Sequence, residues 1–250
     1  MVYKEEETLT KCCRDIAKTK NIVALTGAGI STESGIPPFR GKKGLWEKYD
    51  PIEYGHISSF KKNPKKSWKM LREMITTIEQ AKPNAAHKSL AELEKIGKIK
   101  KVITQNVDGL HDDAGNKKVI EFHGTYKRYI CLKCGKKYNK KKVDSTEKIP
   151  KCSCGMTLKP DMTFFGENIP EEKIIESRKA SEKSQIMLII GTSAQVYPAA
   201  NLPITAKKTG SKIIEINPKK TILSSYADYT FRSRSTTVLP RIMKKTKNLI

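Results

Sequence analysis

Asn21-Ile22-Val23-Ala24-Leu25-Thr26-Gly27-Ala28-Gly29 is a short apolar run that stops at a glycine pair. A run of this length, bounded by glycine, reads as a buried strand feeding a tight turn. The same pattern returns at 101–104 (K-V-I-T), 185–190 (Q-I-M-L-I-I) and Lys212–Ile216 (K-I-I-E-I). Helical patterns lie between these runs. Asn84 is placed to cap a helix after Pro83, with Ala86, Leu90, Leu93 and Ile96 at helical spacing and Gly97 as the stop. Residues 171–182 and Leu202–Lys208 carry two more. Residues 12–17 read as part of an amphipathic helix in which Cys12 and Cys13 are packing residues. Strands alternating with helices, with glycine turns at strand ends, predict an α/β fold built on a doubly wound parallel sheet.

Two regions interrupt that rhythm. Residues 41–83 are rich in lysine and aromatic residues, with a helical stretch at 68–78. Residues 125–159 hold both later cysteine pairs and little apolar sequence. Both read as insertions that together form a second, smaller domain. The large domain is then discontinuous, taking 1–40, 84–124 and 160–250.

The 250 residues are 37% hydrophobic and 30% charged, and the apolar ones come in structured runs, which excludes wholesale disorder. No stretch approaches the ~18–20 consecutive apolar residues of a membrane span. The opening M-V-Y-K-E-E-E puts charge where a secretory signal has its apolar core. The expectation is a soluble cytoplasmic protein with no membrane partner. Lys+Arg number 49 against 26 Asp+Glu, a formal charge of +23. Of these cations 41 are lysines scattered along the chain, and only 8 are arginines, the residue whose planar fork reads bases and phosphates bidentately. Such a surface predicts no more than weak, non-specific nucleic-acid association.

Four groups of residues carry chemistry. In 27–41, G-A-G-I-S-T-E-S-G-I-P-P-F-R-G, a glycine pair after a buried strand lets backbone N–H groups approach a pyrophosphate. Thr32 stands where the usual dinucleotide fingerprint has its third glycine, so a simple glycine turn is the competing reading. Phe39 and Arg40 add a ring and a permanent cation, suited to an aromatic cofactor ring and a phosphate. Thr104-Gln105-Asn106-Val107-Asp108-Gly109-Leu110-His111 follows a candidate strand, and its amides and carboxylate could hold ribose hydroxyls and a carboxamide, or simply cap a turn. Among the four histidines (His56, His87, His111 and His123), His87 falls inside a helix and reads as structural. His123, followed by Gly124, is the choice for a general base, since imidazole titrates near neutral pH. Finally, Cys131-x-x-Cys134 and Cys152-x-Cys154 match a closed tetrahedral site for structural zinc, Zn(2+), although the second knuckle is one residue short.

Downstream lie Phe164-Phe165-Gly166-Glu167, Gly191-Thr192-Ser193, Val196-Tyr197-Pro198 and Glu215-Ile216-Asn217-Pro218. In this order, over about 21–240, the groups resemble the sirtuins, NAD-dependent protein-lysine deacylases. The resemblance implies a Rossmann-like large domain, with a zinc module (125–159) and a helical module (41–83) forming the small one and NAD in the cleft between. It implies cofactor contacts from Gly27, Ala28, Gly29, Ile30, Thr32, Phe39 and Arg40. Gln105, Asn106, Val107 and Asp108 would hold the ribose and nicotinamide, and Gly191, Thr192, Ser193 and Asn217 the adenosine side. Phe165, Gly166 and Glu167 on one side and Val196 on the other would pair with an acylated-lysine protein or peptide as an added strand. The implied reaction begins when the acyl oxygen attacks C1′ of the nicotinamide ribose. His123 then activates a ribose hydroxyl, with Asn106 beside it, and the products are nicotinamide, free lysine and O-acyl-ADP-ribose.

The chain departs from the family pattern at Pro38, where many sirtuins carry Asp. It also lacks the Tyr-x-x-Arg of members that prefer acidic acyl groups, reading Trp68-Lys69-Met70-Leu71-Arg72 instead. That stretch favours acetyl or longer neutral acyl groups over succinyl. Protein mono-ADP-ribosylation in the same cleft is one alternative activity. A basic zinc-containing nucleic-acid-binding protein is another.

Overall fold

A computed structural model describes residues 2–39, 44–143 and 149–250. Six strands form a parallel sheet: β1 (Ile22–Thr26), β2 (Ile99–Thr104), β3 (Val119–Glu121), β7 (Ile186–Ile190), β8 (Lys212–Ile216) and β9 (Tyr229–Phe231). Their spatial order is β3-β2-β1-β7-β8-β9, so the winding reverses between β1 and β7. Every residue of β1 and β7 is buried, as expected for central strands covered on both faces. Alternation along β1 divides its side chains between two cores. Ile22 and Ala24 join Ile186, Leu188 and Ile214 in one cluster, while Val23 and Leu25 join Ile103, Met187 and Ile213 in the other.

Helices complete each core. Val2–Lys18, Ala85–Lys95 and Ser235–Lys247 cover the first face, and Cys12 and Cys13 are fully buried there. Burial pushes the Cys13 thiol above its ordinary pKa, and its Sγ lies 3.8 Å from the Ile242 carbonyl oxygen. Leu202–Lys208 contributes Leu202 and Ala206 to the second face, and Glu171–Lys183 packs Ile174 and Ala180 against it. The Asn84 cap is a full capping box with an unusual partner: Asn84 accepts from the Ala86 and His87 N–H groups, and His87 Nδ1 accepts from the Asn84 N–H. His87 is structural, as its position predicts. No helix among the described residues is long and apolar enough to cross a membrane.

The interrupting segments build a different layer. β4 (Gly124–Cys131), β5 (Lys137–Asn139) and β6 (Leu158–Met162) form an antiparallel sheet in the order β5-β4-β6. The earlier insertion folds into short helices and one long one, Pro64–Gln80, which starts four residues before the sequence pattern suggests. Asn63 caps it and Pro64 occupies its first turn, where a missing N–H costs nothing. Tyr49, Phe60, Trp68, Met70, Leu71 and Met74 from this insertion share one hydrophobic cluster with Tyr129, Cys131, Cys152 and Leu158 from the other. Trp68 also donates its indole N–H to the Leu158 carbonyl at 3.0 Å.

Candidate active site

The carboxyl ends of β1 and β7 meet at the point where the winding reverses, the place where open α/β sheets bind ligands. Two glycines let them meet closely. Gly29 N–H donates to the Gly191 carbonyl at 2.8 Å, and a Cβ on Gly29 would sit 2.7 Å from Gly191 Cα. Gly191 itself has φ of +60° and faces the Ile30 amide nitrogen, so no larger residue fits. Gln105 bridges the adjacent strand ends, donating from Nε2 to Thr192 Oγ1 at 3.0 Å.

A cavity of about 720 Å³ opens above this junction. Its lining includes Gly27, Ala28, Phe39, Gln105, Asn106, Val107, His123, Gly191, Thr192, Ser193, Phe165, Gly166, Glu167 and Val196, so most of the expected site residues meet in one place. A smaller cavity of about 220 Å³ adjoins it and takes in Asp108, sharing Ala28, Phe39, Asn106 and Val107. Other expected residues lie elsewhere. Ile30 is fully buried in the sheet core. Thr32 is exposed, and its hydroxyl donates to Gly29 O, closing its own turn rather than facing the cavity. Gly29 supports the backbone contact above. Asn217 acts one step back, donating from Nδ2 to Thr192 O at 3.0 Å. Arg40 lies outside the described residues.

His123 is held by its neighbour across the strand ends. Its Nδ1–H donates to the Gln105 carbonyl oxygen at 3.1 Å. A carbonyl can only accept, so the bonded nitrogen carries the proton and neutral His123 keeps Nε2 as an acceptor. Burial lowers its pKa, partly opposed by the same carbonyl, which makes the neutral, proton-accepting form the dominant one at pH 7.

Beside it, Asn106 is fixed from both ends. Its side-chain amide donates to Gly27 O at 3.2 Å and to Ser31 Oγ at 3.1 Å. Ser31 in turn donates to Asp108 Oδ2 at 2.7 Å, and Asp108 Oδ1 accepts from the Leu110 N–H. Burial pushes the Asp108 carboxyl up, and these donors, which favour the carboxylate, pull it back. Ser31, which the sequence reading did not single out, links Asn106 to Asp108. It sits inside the 27–41 motif, but nothing in its spacing marks it as the link between Asn106 and Asp108.

The opposite wall is apolar. Leu45, Trp46, Met70, Met74, Phe164 and Ile169 line it. Of the apolar residues Trp68, Met70 and Leu71 in the stretch expected to favour neutral acyl groups, only Met70 reaches the cavity. Trp68 and Leu71 are buried in the small-domain core, because helical geometry puts residues 70 and 74 on one face and turns 68 and 71 away. Lys69 and Arg72 are exposed. At the rim, Phe165 has both backbone groups engaged: its N–H donates to Gly55 O at 3.0 Å and its carbonyl accepts from Ile57 N–H at 2.9 Å. Glu167 N–H donates to Phe164 O. Among the described residues, Gly166 is left with unpaired backbone groups. Val196 accepts from Ala200 N–H and keeps its own N–H free in the same sense.

The four small-domain cysteines converge, with all Sγ atoms within 4.8 Å of one another. Cys131–Cys154 and Cys134–Cys152 sulfur pairs are 3.6 and 3.5 Å apart. The edge of a tetrahedron with metal–sulfur bonds of ~2.3 Å is ~3.8 Å, so the donor set fits one zinc ion. Each knuckle closes on a glycine: Gly135 N–H donates to Cys131 O and Gly155 N–H to Cys152 O.

An open parallel sheet with a glycine-floored crevice at its switch point, a half-buried base and an apolar side wall defines a dinucleotide-binding enzyme of the Rossmann type. Residues 27–198 match the Sir2 family. The chain is 43% identical over 248 residues to an NAD-dependent protein deacylase of Pyrococcus abyssi, covering 97% of this chain and 99% of that protein. It belongs to the Sir2 family. The crystal structure of a Sir2 homolog–NAD complex matches with a TM-score of 0.90 and 41% identity, covering 96% of this chain and 94% of that one. A Sir2 complex with a deacetylated p53 peptide and 3′-O-acetyl ADP-ribose matches with a TM-score of 0.88 and 37% identity over 94% of this chain and 97% of that one.

Proposed function

We propose that this chain removes acetyl and longer neutral acyl groups from protein lysines, consuming NAD and one water and releasing nicotinamide and O-acyl-ADP-ribose. The observation that carries this is His123, tied through Nδ1 to Gln105 inside a cavity with a glycine floor and an apolar wall. NAD, when bound, supplies an electrophilic ribose carbon and the nicotinamide leaving group. Gly27 and Ala28 admit the phosphates at the floor, and Asn106, fixed by Gly27 O and Ser31, presents an oriented amide at the ribose end. His123 takes a hydroxyl proton on Nε2 while its Gln105 bond steadies the resulting imidazolium. Gly166 and Val196 offer backbone groups to an extended acyl-lysine peptide. Cys131, Cys134, Cys152 and Cys154 hold zinc, which with four protein ligands supports the fold and leaves no position open for chemistry.

The pH dependence follows from burial. His123 has a folded pKa below 6.5, so kcat/KM is expected to be level at neutral pH and to fall about tenfold per unit once the pH drops below that value. An acidic limb centred above 6.5 would contradict the assignment. Stability moves the same way. Burial holds His87 at about 3 and His111 at about 4, well below their unfolded value. The unfolded chain therefore binds more protons below pH 6.5, and stability present above that pH is lost progressively toward pH 4 and 3. Circular dichroism run in parallel separates the two effects.

Acyl selectivity gives the direct test. Nicotinamide release is measured on one peptide carrying acetyl, butyryl, myristoyl or succinyl lysine. Each buried CH₂ contributes ~0.8 kcal/mol, so butyryl is expected to bind up to ~15-fold more tightly than acetyl where both added carbons are covered. Succinyl would place a carboxylate against the apolar Met70 and Met74, and its kcat/KM is expected to fall at least ~10-fold below butyryl. Preference for succinyl would overturn this reading, and nicotinamide release that no acyl peptide stimulates would overturn the deacylase assignment.

A further inference from the structure

Lys159 is an anomaly in a chain whose lysines mostly face water. It lies on β6 with its side chain only 3% exposed. Burying an ammonium is costly unless every donor is used. Here each has a destination. Nζ donates to Glu167 Oε2 at 2.9 Å and to the Met162 carbonyl at 2.6 Å, and it stands 4.4 Å from the centroid of the Phe164 ring. The same Glu167 oxygen accepts the Phe164 N–H at 2.8 Å. One buried ion pair thus grips the loop 162–167 at Met162, Phe164 and Glu167.

That loop is the cavity wall from Met162 to Glu167. Its remaining fastenings point in two functional directions. Thr163 N–H donates to the carbonyl of His123 at 2.8 Å, coupling the loop to the base. Phe165 is bonded on both sides to the helical insertion, through Gly55 and Ile57. Between these anchors Gly166, with φ of +77°, is exposed, and its backbone groups have no partner among the described residues. A buried ion pair is poor evidence for stability, since apolar replacements of similar shape often do as well. What an apolar pair could not do is hold three points of a six-residue loop at once.

We propose that the buried Lys159–Glu167 pair is a positioning device that sets the 162–167 loop for the acyl-lysine peptide. The inference rests on the deacylase reading above. Lys159 touches neither peptide nor dinucleotide; it acts through Glu167, Phe164 and Met162. A loosened loop degrades peptide binding first, because the glycine floor and the Asn106–Ser31–Asp108 chain belong to other elements and keep their geometry.

The test is steady-state kinetics with NAD and acetyl-peptide varied separately, on the unaltered protein, K159M, K159R and E167Q, with melting curves for each. K159M matches the lysine stem in size and removes the charge. It is expected to raise the KM for peptide roughly 10–100-fold, the scale of losing charged hydrogen bonds, while the KM for NAD stays within about twofold. K159R, which restores a cation, should recover most of the loss. E167Q keeps an acceptor for Phe164 N–H but loses the charge, and is expected to raise the peptide KM several-fold; it decides the matter if K159M does not fold. Unchanged peptide KM in a folded K159M or E167Q, or equal rises in both KM values, would overturn the clamp while leaving the deacylase reading in place. No turnover by the unaltered protein would overturn both.

Discussion

Replacing His123 with Ala is expected to lower kcat by about 10²–10⁴-fold, the usual contribution of a positioned general base. The fold should survive. His123 is half-buried on the cavity side, makes one side-chain bond, to Gln105 O, and leaves the sheet cores to Phe122 and its neighbours. The melting temperature is therefore expected to move by only a few degrees, and NAD should still protect the variant against heat. Near-normal deacylation by a folded His123→Ala protein would remove His123 from the mechanism. The retained Gln105 carbonyl gives a further check: His123→Asn offers a donor to that carbonyl and no base, so it should stay as slow as the Ala variant.

The second large effect concerns the metal. A strong chelator is expected to unfold the antiparallel sheet of the small domain and abolish turnover, because binding free energy at structural four-cysteine sites is folding free energy, ~10–16 kcal/mol in isolated modules. Damage should reach the active site as well. Cys131 and Cys152 pack in the same cluster as Trp68, Met70, Met74 and Phe164, and the last three also line the cavity. Elemental analysis should find one zinc per active chain. A folded, active protein with clearly less than that would sink the assignment.

The four central strands were legible as short apolar runs, two of them (β1 and β7) stopping at glycine, whereas the three-residue edge strands β3 and β9 are too short and too polar to leave such a run. The residues gathered at the strand ends, from Gly27 to Thr192, were legible for the same reason, since chain order places each motif after a strand. Side-chain direction inside the insertions was not. Trp68, Met70 and Leu71 are equally apolar in sequence, and only the packing of Pro64–Gln80 against Leu158 and Tyr129 decides which one meets the cavity. Thr32 is expected as a cofactor contact only through the family resemblance, and its hydroxyl satisfies a backbone carbonyl within its own turn, a local bond that sequence spacing does not show. Ser31 and Lys159 escaped notice for a related reason. Ser31 matters through a buried bond to Asp108, 77 residues away, and Lys159 through a bond to Glu167, 8 residues on and outside any helix or strand spacing, so neither leaves a local pattern.

The shared cluster between the insertions has a consequence for the protein while it is being made. Trp68 and the Leu158 carbonyl it binds are 90 residues apart, and the central strand β1 waits for β7, with Ile22 paired to Ile186. At ~5–20 residues per second, the helical insertion spends ~5–18 s outside the ribosome before its partner sheet exists. During that interval Phe60, Trp68, Leu71 and Ile75 have the rest of their own insertion against them but lack the cover that Leu158 and Phe164 give in the finished cluster. Lysines at 61, 62, 65, 66 and 69 are interleaved with those apolar residues, so the segment exposed in that interval carries the kind of flanking charge that opposes self-association.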